Sequence, residues 1–256
     1  GERVVIFGDY DVDGVTSCTI LNESLGALGW QTATYLPHRM DEGYGLSLEA
    51  TQKCLAELKP QLVLAVDCGS TNIESIDWIN EQNVDVLVLD HHQVPQPAPA
   101  ACALINPQLA TEDEPDFREL CSAGLAFKLL HAIVKEGRAQ GISEMESYDV
   151  RPFLDLVALG TIADLVPLVR ENRILAVNGL KQLNATNRLG LRALIEAARI
   201  QGAIGGFEVG FQLGPRLNAA GRLESATEAL DLLQAKDPDT AAELAAKLDR
   251  RNRDRQ

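Results

Sequence analysis

Apolar and polar positions follow two regimes along the chain. In the first hundred residues, short apolar runs, Val4-Val5-Ile6-Phe7, Leu62-Val63-Leu64-Ala65-Val66 and Val86-Leu87-Val88-Leu89, are bounded by Gly and polar residues and separated by stretches of helical period. Runs this short and continuous read as strands buried on both faces. The pattern predicts strands at 3–8, near 31–36, at 62–67 and at 84–90, with an amphipathic stretch over 15–28. It also predicts helices over 47–58, capped by Ser47, and over 72–82, capped by Thr71 or Asn72. A Pro-rich surface loop at 95–99 precedes one more short strand, Ala103-Leu104-Ile105-Asn106-Pro107, closed by proline. From about residue 120 the strand pattern fades, and 120–137, 150–163, 173–184, 189–200, 225–234 and 238–253 read as helices, with Gly205-Gly206 as a hinge or turn. The expected fold class is α/β: a parallel sheet covered by helices on both faces, followed by a mostly helical second half.

The apolar runs share an ending. The first leads to Asp9, Asp11 and Asp13, the second to Asp67, and the third to Asp90-His91-His92. In an open parallel sheet the carboxyl ends of the strands meet at one crevice, so distant stretches of sequence would deliver at least four carboxylates and two imidazoles to one place. Like charges that close raise one another's pKa unless a cation neutralises them, and a divalent metal cluster is the simplest resolution.

Composition narrows the setting. With 256 residues, 46% of them hydrophobic, the chain can bury a substantial core. No apolar stretch is long enough to span a bilayer and no basic segment leads into an apolar signal region, so a cytoplasmic protein with no membrane partner is the default expectation. Cys18, Cys54, Cys68, Cys102 and Cys121 are odd in number and contain no Cys-x-x-Cys pair, which points to reduced, mostly buried thiols. A net charge of −14 argues against a surface that wraps duplex DNA, although part of the excess is the proposed carboxylate cluster itself.

Each motif has a bland reading beside the functional one. Spacing by two along an extended strand end would put Asp9, Asp11 and Asp13 on one side, with Gly14 allowing a tight turn into the next helix. The same run could open an EF-hand, but the twelfth position from Asp9 is Ile20 rather than Glu and a strand precedes it. Asp67 alone could be a helix cap. In Asp90-His91-His92, neighbouring side chains of an extended segment point opposite ways, so one histidine would bind metal and the other face substrate. Neutral imidazole with carboxylates suits manganese, and magnesium less well. His131 lies in an apolar helical pattern and reads as structural. Asp164, ending the apolar run Ala158-Leu159-Gly160-Thr161-Ile162-Ala163, is badly placed for the helix dipole and needs a partner, either a metal or an arginine.

The order Asp-x-Asp-Gly, Asp-Cys-Gly, Asp-His-His, Gly-Thr-Ile-Ala-Asp resembles the DHH phosphoesterase superfamily. Gly8 to Gly14, Glu42-Gly43-Tyr44-Gly45-Leu46 and Gly214-Pro215-Arg216-Leu217-Asn218-Ala219-Ala220-Gly221-Arg222 resemble its RecJ branch, exonucleases of single-stranded DNA. The resemblance implies a metal-dependent enzyme of DNA repair and recombination that degrades single-stranded DNA from 5′ to 3′, working with two manganese ions or with magnesium. It implies that Asp11 binds one metal, Asp13 the other, that Asp67 bridges both, and that His91 and Asp164 complete the second, with Asp9 and Asp90 as further metal-site candidates. His92 would face the scissile phosphate. Arg39, Arg216 and Arg222 would contact the substrate, because a guanidinium matches phosphate oxygens in pairs, and Asn218 would join them. Many superfamily members carry a His where this chain has Phe7, and Asp9 is the candidate replacement. A monomer is expected. The expected organisation is an α/β half over 1–110, a helical half of the same domain over 111–237, and over 238–256 the start of a connector helix toward a further domain, the whole being a catalytic-core fragment.

Overall fold

A computed structural model describes residues 1–109, 117–223 and 227–255, with the backbone alone for 39, 40, 222 and 223. Five parallel strands, β1 (Arg3–Gly8), β2 (Gln31–Tyr35), β3 (Leu62–Val66), β4 (Asp85–Leu89) and β5 (Ala103–Ile105), form one sheet in the order β2-β1-β3-β4-β5. The chain moves outward from β1 to β2, then returns past β1 and builds in the other direction. The strand order therefore reverses between β1 and β3, and the crevice at their carboxyl ends is where an open sheet of this kind holds its ligand. Register sharpens the point: Gly8 pairs with Val66 and Val66 with Leu89, so the three acidic strand exits lie side by side.

The helices are α1 (Val12–Ala27), α2 (Arg39–Glu42), α3 (Leu48–Leu58), α4 (Ile73–Glu81), α5 (Ser122–Ala139), α6 (Ser143–Glu146), α7 (Leu154–Ala163), α8 (Arg170–Asn184), α9 (Leu189–Ala197), α10 (Gly206–Glu208), α11 (Gly214–Leu223), α12 (Thr227–Gln234) and α13 (Pro238–Asp254). Period-two alternation along each strand divides the apolar residues between two cores. Val4, Ile6, Leu64, Val66 and Leu89 join the larger one with α1, α5 and α7, while Val5, Phe7, Val63, Ala65, Val86 and Val88 join α3 and α4 on the other face. Burying Ile6 and Phe7 completely contributes about 1.5–3 kcal/mol apiece. Among the described residues no helix is long and apolar enough to cross a membrane.

Several elements depart from the pattern-based expectation. Helix α1 begins at Val12 and is buried on nearly every side, because α5, α7 and α12 form a second layer over it. An amphipathic reading fails there since exposure is confined to the last turn, at Gly26 and Ala27. The expected helix 150–163 opens with a 3-10 turn at Arg151–Phe153, and α7 that follows is likewise a core helix, with Leu156 to Leu159 all fully buried. Gly205-Gly206 marks a change of course from loop to helix: Gly205 caps a continuous helical passage through α10, a π-helical turn at Val209–Leu213 and α11. Glycines at both ends of that passage mask its helical pattern in the sequence.

Candidate metal centre

Asp9 follows β1 in a short loop and is 1% exposed. Asp11 is the N-cap of α1 and its Oδ1 accepts from Gly14 N at 3.0 Å. Asp13 lies in the first helical turn, so the three aspartates meet through a loop, a cap and a helix rather than by alternation along an extended strand end. Gly14 is correspondingly helical, and its missing Cβ makes room for the backbone of Asp9. Asp67 stands immediately after β3 with φ 61°, a left-handed conformation that an aspartate adopts only at a cost and that recurs where a site fixes a side chain. Asp164 is the C-cap of α7.

These residues converge. His91 Nε2 lies 3.4 Å from Asp67 Oδ1 and 3.7 Å from both Asp13 Oδ2 and Asp164 Oδ2. Three overlapping groups, Asp9-Asp11-Asp67, Asp13-His91-Asp164 and Asp67-His91-His92, each bring their donor atoms within 4.8 Å of one another. Asp67 belongs to the first and third and His91 links the third to the second, so the clusters are contiguous.

The electrostatics are unfavourable as the protein stands. Burial, followed by the charges of Asp13 and Asp11, pushes Asp67 well above the ordinary carboxylate range. Burial likewise raises Asp13, lifts Asp9 to about 6 and lifts Asp164 to about 7, with neighbouring aspartates adding to each. Burial lowers the pKa of His91, leaving a neutral imidazole with a lone pair to offer. Among the described residues no lysine or arginine pairs with these carboxylates. Asp9 Oδ2, Asp67 Oδ1 and His91 Nε2 are buried with no hydrogen-bond partner, a costly arrangement in any interior. The spacings about His91 are too long for hydrogen bonds and close to the roughly 3–3.5 Å kept by two ligands of one cation. Carboxylate oxygens with an imidazole form a donor set suited to divalent cations, so the residues present fit a metal cluster.

Surrounding elements hold the ligands in place. Asp13 Oδ2 and Oδ1 accept from the Ser122 and Ala123 amides at 2.7 and 2.9 Å, so the N-terminus of α5 grips this carboxylate from the helical half. Gly160 on α7 leaves the space that Asp13 fills: a Cβ there would lie 2.7 Å from Asp13 Oδ1 and 2.8 Å from Thr16 Oγ1. Asp90 accepts from Ser70 N at 3.0 Å and His91 N at 2.8 Å and pairs with His92 Nδ1 at 2.8 Å. Burial works to raise the pKa of Asp90, but the His92 hydrogen bond and charge, with Ser70, hold it well below the usual range. In return the Asp90 hydrogen bond lifts His92 to about 9. His92 therefore presents a cationic, half-exposed ring beside the acidic cluster.

Comparison with known proteins agrees with this geometry. The profile of the DHH family, N-terminal domain, matches residues 3–161. The chain belongs to the DHH family. Among curated relatives it is 41% identical over 258 residues to the single-stranded-DNA-specific exonuclease RecJ of Bacillus subtilis (strain 168), covering 100% of this chain and 31% of the relative. It is also 41% identical over 258 residues to RecJ of Haemophilus influenzae, covering 99% of this chain and 44% of the relative. The chain thus spans less than half the length of these relatives. A crystal structure of exonuclease RecJ bound to manganese superposes with a TM-score of 0.87 at 38% identity, over 100% of this chain and 62% of that one. RecJ from Thermus thermophilus in complex with Mn2+ gives 0.83 at 36% identity, over 100% of this chain and 36% of that one.

Within this DHH domain the expected site residues do not all meet. Asp9, Asp11, Asp13, Asp67, His91, His92 and Asp164 come together. Asp90 stands behind them, its carboxylate committed to backbone amides and His92, and it joins none of the donor groups. The His91 and His92 rings lie 4.5 Å apart rather than on opposite sides, because the chain leaves the extended conformation after Leu89 and wraps around Asp90. Asn218 Oδ1 accepts from Val12 N at 3.0 Å, and Arg216 donates through Nε to Asp249 at 3.0 Å and through Nη1 to the Gln212 carbonyl at 2.7 Å, so these atoms are engaged within the protein. The side chains of Arg39 and Arg222 lie outside the described residues. Phe7 packs in the α3/α4 core, stacked on Tyr35, which leaves Asp9 as the additional donor beside Asp11 and Asp67. His131 is on the exposed face of α5 rather than in the core. Two contributors escape a reading of the sequence: the α5 amides, hinted at only by the small residues Cys121-Ser122-Ala123-Gly124, and Gly160. Backbone donors carry no residue-type signal.

Proposed function

We propose that the chain is the catalytic core of a metal-dependent exonuclease that hydrolyses phosphodiester bonds of single-stranded DNA from the 5′ end, with manganese or magnesium as its cofactor. The observation that carries this reading is the meeting of Asp9, Asp11, Asp13, Asp67, His91 and Asp164 at the β1/β3 crevice with three buried donor atoms unpartnered. Asp9, Asp11 and Asp67 would hold one ion, and Asp13, His91 and Asp164 the other, with Asp67 between them beside His91. Bound divalent ions there supply an activated water and neutralise charge on the displaced oxygen.

The protein's own groups do the rest. Asp13 is fixed by the α5 amides and Asp67 by its strained backbone, so the ligand cage forms before substrate arrives. His92, protonated at neutral pH and oriented by Asp90, donates a hydrogen bond to a phosphate oxygen and stabilises the charge that builds on it. No protein nucleophile is needed. Polarity, a role in repair and recombination, a cytoplasmic setting and a monomeric state belong to the same proposal, and the similarity of this chain, over its whole length, to single-stranded-DNA-specific exonucleases supports its substrate. So does the division into an α/β half over 1–110 and a helical half over 111–237 that completes one site. With manganese present, 5′-labelled single-stranded DNA should be shortened in preference to a 5′-labelled RNA dinucleotide. Preference for the dinucleotide would move the chain to another phosphohydrolase branch of the family.

A further inference from the structure

The helix α11 carries residues that lie against both sides of the metal centre. Midway along it, Asn218 Oδ1 accepts the Val12 amide at 3.0 Å across 206 positions of sequence. Val12 opens α1, and its N–H is one of the donors that a helix start leaves without an internal partner. The N-cap, Asp11, already spends Oδ1 on Gly14. Were Val12 N also left to Asp11, the capping bonds would draw that carboxylate inward, away from any cation shared with Asp9 and Asp67. One turn on, Gly221 meets the loop between Asp9 and Asp11: a Cβ at that position would lie 2.7 Å from the Tyr10 carbonyl oxygen, 2.9 Å from its ring and 3.0 Å from its Cβ.

At the N-terminal end of α11, a Cβ on Gly214 would sit 3.5 Å from that of Ala163, the residue before Asp164. The helix is anchored along the remaining length. Leu217, Ala219 and Ala220 are buried, and Arg216 ties it to Asp249 of α13 at 3.0 Å. One element thus contacts the segment bearing Asp9, Asp11 and Asp13 and lies beside the segment bearing Asp164.

We infer that α11 is a strut that sets the span of the metal-binding carboxylates, and that Asn218 and Gly221 are positioning residues acting through Val12 and Tyr10. This rests on the metal-centre reading and gives the Gly214-to-Gly221 segment a role other than substrate contact. The test is calorimetric titration of manganese into the whole chain and its N218A, N218D and G221A variants, alongside the melting of each without metal. The strut predicts that N218A and G221A weaken manganese binding by about 10–100-fold, the range typical of partners that orient a ligand. It predicts that N218D, which keeps the acceptor oxygen, binds within about threefold of the parent, and that the KM of N218A for single-stranded DNA at saturating manganese is unchanged. Parental manganese affinity in N218A, whether with a lowered melting temperature or a raised KM for DNA, overturns the inference while leaving the metal centre standing. Failure of the parent chain itself to bind manganese removes the metal centre, and the strut with it.

Discussion

At the scale of single residues, the site is built on burial of carboxylates that no described lysine or arginine neutralises. Asp67 is the extreme case: it sits in the left-handed region, 1% exposed, with an oxygen that has no partner. Asp90 and His92 show the opposite solution, a carboxylate and an imidazole that stabilise each other's charged forms. In the metal-free protein, the His92 ring should titrate near 9 by NMR, since its Asp90 hydrogen bond favours the protonated form. In D90N the midpoint should fall toward the ordinary histidine value. An unchanged midpoint would mean that some other group holds the proton on His92.

At the scale of elements, much of the fold is legible because each strand is a short apolar run and the exits of β1, β3 and β4 are aspartates. The strands expected at 3–8 and 62–67 match β1 and β3 to within a residue, and Ser47 caps α3 as its position suggests. Asp164 stands out because a carboxylate at a helix C-terminus needs a partner, and it lies by His91. What stays hidden is three-dimensional: the burial of α1 beneath a second layer, the grip of the α5 amides on Asp13, and the helical course of 206–223, where Gly214 and Gly221 serve close approach. Gly160 tests this layer. Alanine in a helix interior is ordinarily favoured over glycine by about 1 kcal/mol. At Gly160 the added methyl meets Asp13 and Thr16, so G160A should instead destabilise by about 1–3 kcal/mol in urea unfolding and weaken manganese binding. A stabilised G160A would show that α7 can move away from α1 freely.

At the scale of the whole molecule, the repulsion within the cluster should govern stability against pH. Asp9, Asp13, Asp67 and Asp164 all have folded-state pKa values above their unfolded ones, to about 6 for Asp9 and about 7 for Asp164, so the folded protein binds more protons than the unfolded chain as these groups titrate. Stability present at low pH is therefore lost as pH rises through those values. His92 acts in the same sense through about 9, while His91, with its lowered pKa, opposes it below the ordinary histidine range. The melting temperature of metal-free protein should fall between pH 5 and pH 8, and saturating manganese should reverse the trend because cation and protons compete for the same oxygens. A metal-free protein that grows more stable over this interval would contradict the picture of an uncompensated cluster.

In the proposed enzyme, acidic side chains from separate elements assemble one two-ion centre shared through Asp67. Calorimetric titration with manganese addresses it most directly. Two ions should bind per chain, and D67A should weaken that binding by at least about a hundredfold, the upper end of what an outer partner costs, and lose nuclease activity. Undiminished manganese binding in D67A, or none in the parent chain, would contradict it.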